Sequence, residues 1–222
     1  MKSPDRVEVL VDAGNFYHLV LKKLGIAEVE YDFDALVTFL VNGRKLSRDG
    51  KRLYVGTVPE REGDARSKLA MAEQRRFLTG LQSSQWQIKT SKLRLRTEEI
   101  KVDARTQEYA KLHKAHIDVL HIDRLREKGI DVKMATDLIV GAVDDKYDTA
   151  IVVSSDTDLV PAIDWVRMRM KKHVEYVGFS IPDSRGEIYA SKPTFALIAR
   201  TDVSRTLVES DIRRFIKPKL PL

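Results

Sequence analysis

The alternation of apolar and polar positions divides the first half of the chain into short strands and helices. Val7 to Val11 is a run of mainly β-branched residues and leucine, broken only by Glu8 and followed by Asp12-Ala13-Gly14. That pattern predicts a largely buried strand ending in a turn. From Asn15 to Leu24, the residues Phe16, Leu19, Val20 and Leu24 stand at helical spacing, with Gly25 as the stop. Leu36, Val37 and Leu40 repeat that spacing within Phe33 to Val41, where Asp32 or Asp34 serves as N-cap. Arg52 to Val58 has the composition of a second strand, ended by Pro59. Ala65 to Leu81 reads as an amphipathic helix, and Trp86, Ile88 and Thr90 alternate as a half-exposed strand does. Residues 89 to 128 are rich in Lys, Arg and His. Alternation at Lys92 to Arg96 and at Asp118 to Ile122, around a middle open to helix, predicts an inserted basic arm or hairpin.

The pattern is strongest from Gly129 onward. Ala135, Leu138, Ile139 and Ala142 give a helix with one buried face and Asp137 at its edge. Thr149 to Val153 is a continuous apolar strand closed by Ser154-Ser155-Asp156-Thr157-Asp158. Leu159, Ala162, Ile163 and Val166 form the next helix, with Pro161 in its first turn, and Val174 to Phe179 the next strand. Strands alternating with helices imply crossover connections, hence an α/β fold with a mainly parallel sheet covered on both faces. We expect a single domain over residues 1–222, with the insertion at about 89–128 and a C-terminal extension at about 194–222. Thr194 to Ile216 is expected to supply a closing helix, and Lys217 to Leu222 a frayed tail.

Composition narrows the chemistry. The 222 residues carry 39 Lys and Arg against 33 Asp and Glu, a net charge of +6 that favours a polyanionic partner. The absence of cysteine excludes disulfides, thiolate zinc sites and a cysteine nucleophile. The apolar run at the start is shorter than a signal-peptide core, and no segment approaches the ~18 apolar residues of a membrane span. The expectation is a soluble, cytoplasmic protein without membrane association, its oligomeric state open and a homodimer included.

In open α/β sheets ligands bind beyond the carboxyl ends of the strands. Asp12 follows the first strand there, and Asp156 and Asp158 follow the strand ending at Val153. Neighbouring strands would bring these acids together, with Asp137 joining from the preceding helix. Crowded carboxylates raise one another's pKa unless a divalent cation neutralises them. Magnesium suits such oxygen donors and takes substrate phosphates as further ligands. Taken singly, each acid also has a structural role open to it: Asp12 in a turn, Asp156 or Asp158 as a helix cap, Asp137 as a solvated helix position.

The segments Val11-Asp-Ala-Gly-Asn15, Lys128-Gly-Ile-Asp-Val-Lys-Met-Ala-Thr-Asp137 and Val153-Ser-Ser-Asp-Thr-Asp-Leu159 resemble, in order and spacing, the motifs of the NYN domain. This is a PIN-like ribonuclease family, and the resemblance spans about residues 7 to 179. It implies a Rossmann-like sheet and an acidic cluster that holds Mg2+ or Mn2+ to cleave RNA. Carried over, Asp12, Asp137, Asp156 and Asp158 are the metal-binding, catalytic acids, and Asn15 orients the site or substrate. Relatives usually have Ser-Gly-Asp in the third motif, so Ser155 predicts a stiffer loop here. Lys89, Lys92, Arg94, Arg96, Lys101, Arg105, Lys111 and Lys114 are expected to hold the RNA backbone, a contact that positions without reading sequence. His113, His116 and His121, in a lysine-rich stretch without cysteines, read as exposed residues. The alternative from the binding class is a catalytically weak RNA-binding regulator using the same groove and arm. A haloacid-type phosphatase would want an acid where Gly14 stands.

Overall fold

In the computed structural model, residues 5–57, 64–126 and 129–218 are described. The strands are β1 (Arg6–Asp12), β2 (Lys45–Thr57), β3 (Gln87–Lys92), β4 (Arg94–Lys101), β5 (Val119–Arg126), β6 (Thr149–Val153), β7 (His173–Ser180) and β8 (Val203–Val208). The helices are α1 (Ala13–Phe16), α2 (Lys22–Leu24), α3 (Phe33–Val41), α4 (Ala65–Ser83), α5 (Tyr109–Lys114), α6 (Ile130–Val143), α7 (Val160–Met170), α8 (Phe195–Arg200) and α9 (Glu209–Arg213). The strand end expected at Val58-Pro59, Lys128 of the second motif, and the last residues of the tail lie outside the described residues.

Six strands form one sheet in the order β3-β2-β1-β6-β7-β8, every pair parallel. Because successive side chains of a strand face opposite ways, central β1 feeds two cores. Val7, Val9 and Val11 enter a cluster with Phe16, Leu36, Leu40 and Phe77 from α1, α3 and α4. Leu10 enters the other, with Met134, Leu138, Ala142, Ile163 and Val166 from α6 and α7. Burial on both faces is why β1 and β6 read as nearly continuous apolar runs. Among the described residues no helix is long and apolar enough to cross a membrane.

Several expectations change. The predicted first helix is interrupted: after α1 the chain makes a π-helical turn, Tyr17–Leu21, before α2 closes at Gly25 with φ +66°. Strand β2 begins seven residues earlier than Arg52, since a register shift takes up Arg48 to Gly50, polar residues that mask the strand pattern. The expected closing helix is instead α8, the edge strand β8 beside β7, and α9. The insertion is an antiparallel hairpin of β4 and β5 with α5 between them. It starts at Arg94, not 89: Lys89 and Lys92 belong to β3, in register with Tyr54 and Thr57 of the main sheet.

Candidate active site

Parallel pairing of Val11 with Val153 brings the carboxyl ends of β1 and β6 side by side, and with them the first and third motifs. Asp12 is 6% exposed and caps α1: its Oδ1 accepts the Asn15 N–H at 2.9 Å, and its Oδ2 accepts the Ser154 hydroxyl at 3.1 Å. Ser154 Oγ in turn accepts the Asp156 N–H at 3.2 Å. Asn15 Oδ1 accepts the Ser155 N–H at 3.0 Å, so this side chain joins the start of α1 to the loop after β6. Asp156 Oδ1 caps the next turn by accepting the Asp158 N–H at 2.8 Å. The capping role leaves each carboxylate with unused lone pairs, so it is compatible with a ligand role.

A second layer holds this loop. Ser155 Oγ lies 3.2 Å from the Tyr176 hydroxyl, which accepts the Thr194 N–H at 3.0 Å. Thr194 Oγ1 donates to the Ser155 carbonyl at 3.0 Å. Gly178 makes room for the tyrosine ring, because a Cβ there would lie 2.6 Å from the Tyr176 hydroxyl. Ser155 does not adopt positive φ, so a non-glycine residue fits this loop without strain.

Electrostatics identify a further acid. Burial pushes the Asp12 carboxyl up to about 6, against its hydrogen bonds to Asn15 and Ser154; the charges of Asp131 and Asp156 add to the rise. Asp131, in the first turn of α6, is itself raised by burial and by Asp156 and Asp158. It lines, with Asp12 and Asn15, a cavity of about 760 Å³. Asp137 stands elsewhere. Six residues along a helix are about 9 Å, and this places Asp137 over β2, where Tyr54 donates to it at 2.9 Å and Arg52 Nη1 lies at 3.2 Å. Lys89 approaches it at 3.8 Å. So the structure brings Asp12, Asn15, Asp156 and Asp158 together, adds Asp131, and seats Asp137 in an ion-pair network with buried Glu8 and Arg52. Asp131 belongs to the quoted second motif, and its place in a helix's first turn was the available signal, because that turn points at the carboxyl edge of the sheet.

The basic residues divide in the same way. On the hairpin, Arg105 pairs with Asp103 at 2.6 Å and Lys111 with Glu108 at 3.1 Å, both exposed pairs of small energetic worth. Among the described residues Arg96, Lys101 and Lys114 are exposed without an ion-pair partner. For Arg94 only the strand position is described. The arm is rooted at the cavity: Leu93, just before β4, and Ile130 and Asp131, after β5, line it.

The donor set fits a hard dication in kind, being all oxygen and, among the described residues, free of any ion-paired base. In spacing, no group of three or more His, Asp or Glu side chains among the described residues is placed to hold a metal ion. The fit is therefore to a cation taken by one or two carboxylates and completed by water and substrate phosphate, as magnesium commonly is.

A six-stranded parallel sheet between helical layers, with acids where the first and third motifs meet, defines a PIN-like α/β domain of nuclease-like kind. The model of the NYN domain matches residues 6–197, and the chain belongs to the NYN domain family. A crystal structure of a protein of unknown function from Vibrio parahaemolyticus is similar to it, with a TM-score of 0.55 and 17% identity over 96% of this chain and 99% of that one. That likeness is one of fold. No curated protein matches the chain.

Proposed function

We propose that the protein is a divalent-metal-dependent ribonuclease that hydrolyses RNA phosphodiester bonds at the carboxyl edge of β1 and β6. The observation carrying this reading is the convergence of Asp12, Asp131 and Asp156: the Asp156 charge adds to the rise of both Asp12 and Asp131, and among the described residues no base pairs with any of the three. A bound Mg2+ or Mn2+ would neutralise that charge, polarise a phosphate oxygen and acidify a water. Asp12 and Asp156 are the first ligands, fixed by Asn15 and Ser154; Asp131 and Asp158 orient water or complete the set. Asn15 is a positioning residue, holding the two motif loops in register. The exposed cations of the hairpin, Arg96, Lys101 and Lys114, hold the phosphate backbone leading to the cavity, with Lys92 on β3 beside its root.

Among the described residues no three-carboxylate site is preformed, and this favours one second reading, a catalytically weak RNA-binding regulator. Labelled single-stranded RNA incubated with Mn2+, Mg2+ or EDTA separates the two, using wild type, Asp12→Asn and Asp156→Asn. Cleavage that needs metal and falls about 10²-fold or more in both variants supports the enzyme. Wild-type binding without cleavage supports the regulator, and cleavage surviving both substitutions overturns the site.

A further inference from the structure

The cavity beside Asp12 is larger than the acidic cluster requires, and its other wall has a different character. The π-helical turn after α1 sends Val20 and Leu21 into the core and leaves Tyr17 half-buried and His18 exposed on the cavity side. Such turns are rare and recur at functional sites. Val29, Phe77 and Glu28 line the same cavity. Glu28 is half-buried, and among the described residues its carboxyl has no hydrogen-bond or ion-pair partner; burial alone pushes it up to about 7. A desolvated carboxylate without a donor is costly, so this wall is complete only when something supplies N–H groups.

What supplies them is not a phosphate. No Lys or Arg is among the described residues lining the cavity, and His18 is held below its ordinary value by burial and by Lys22, so the described part of the wall is neutral to acidic. An uncharged aromatic with donors on its edge fits, and about 760 Å³ accommodates a nucleoside. Among the bases, guanine alone presents two parallel donors, N1–H and the N2 amino group, to match both oxygens of a carboxylate. Two donors also stabilise the ionised form of Glu28 against the protonated form that burial favours. Facing that ionised carboxylate, adenine and cytosine set an acceptor beside their amino group and uracil flanks its N–H with two carbonyls, so each meets it with a lone pair.

We propose that this cavity receives an unpaired guanine of the RNA strand, stacked on Tyr17 and held along its Watson–Crick edge by Glu28. Specific recognition of single-stranded RNA uses this combination of ring face and base edge. The assignment rests on the ribonuclease reading for its place in a reaction, and gives that reaction a preference for cutting next to guanosine.

The test separates the two claims by measuring binding without chemistry. Guanosine, adenosine, cytidine and uridine are titrated calorimetrically at pH 8 in EDTA against wild type, Glu28→Gln and Tyr17→Ala, with melting curves to verify folding. Guanosine is expected to bind about tenfold or more tighter than the others, the size a bidentate base contact supplies, and Glu28→Gln to abolish that preference. Tyr17→Ala is expected to weaken guanosine binding while its melting curve stays cooperative. Equal affinity for the four nucleosides, or a preference unchanged in Glu28→Gln, overturns the proposal. Cut sites mapped on a mixed-sequence RNA with Mn2+ give the second readout. Guanosine binding without cleavage supports the pocket and overturns the ribonuclease; cleavage without base preference does the reverse.

Discussion

Two groups of acids occupy the same sheet and differ in what surrounds them. In the interior, Glu8 and Asp137 share Arg52 at 3.0 and 3.2 Å, and Glu175 is clamped between Arg44 and Arg205. At the carboxyl edge, Asp12, Asp131 and Asp156 have neutral donors and one another, with no ion-pair partner among the described residues. Glu175, between two guanidinium groups, has its charge answered within the fold, and Asp137 shares Arg52, whereas fully buried Glu8 answers burial by holding its proton more tightly despite the same arginine. An acid held rigidly against other acids destabilises the empty protein, and such stored strain is typical of sites that bind something. The contrast, more than the count of aspartates, distinguishes the residues proposed for chemistry from those that hold the structure.

The sharpest way to break the comparison is to neutralise one member of each group. Asp12→Asn keeps an oxygen for the Asn15 N–H but removes a repelling charge. RNA cleavage should fall about 10²- to 10³-fold while the melting temperature holds or rises. Loss of both activity and stability would place Asp12 with the structural acids. Asp131→Asn should follow the same pattern more weakly, and gel assays alongside melting curves check both.

The interior group predicts a pH dependence instead. Burial outweighs the nearby Arg52 and lifts Glu8 from 4.5 to about 7. Between those values the folded state keeps a proton that the unfolded chain sheds, so stability falls as pH rises through the window and levels off above it. The Glu8 share is about 3 kcal/mol, and Glu8→Gln should reduce the slope in urea titrations from pH 5 to 8 by that share, leaving the parts due to Asp12 and Glu28. A slope unchanged in that variant would assign the dependence to other groups.

Asp137→Asn sharpens the contrast from the other side. It leaves Arg52 with Glu8 alone, so stability should drop by about 2 kcal/mol while cleavage per folded molecule stays near wild type. A fall in cleavage without a fall in stability would return Asp137 to the reacting group. The smallest effect belongs to the hairpin. Arg96→Ala with Lys101→Ala should weaken RNA binding and reduce the salt slope by about 1.4, the share of two phosphate contacts on a single strand.

Much of this arrangement was legible before any coordinates. β1, α3, α6, β6, α7 and β7 announce themselves because each buries at least one face, and that burial writes its period into the residues. Asp12 and Asp156 follow from strand ends alone. The choice between Asp131 and Asp137 does not, because a motif gives order along the chain but not distance from the sheet edge, and one of the two has an arginine waiting 85 residues away in sequence. The interrupted first helix escaped for a related reason: Phe16, Val20 and Leu21 are buried in either helical register, so the apolar spacing does not distinguish them. Strand β8 is half-exposed at an edge, where alternation is weak.

The strand order decides how freely this chemistry can be altered. From β1 the chain departs to the helices on one side, whereas β6 hands over to α7 on the other. The two departing loops diverge, and the cavity lies on the β1 side of that divergence, among α1, β2, α4 and the start of α6. Selection can therefore rewrite the occupants of that gap, acids, tyrosine or glutamate, while the scaffold beneath continues to fold unchanged.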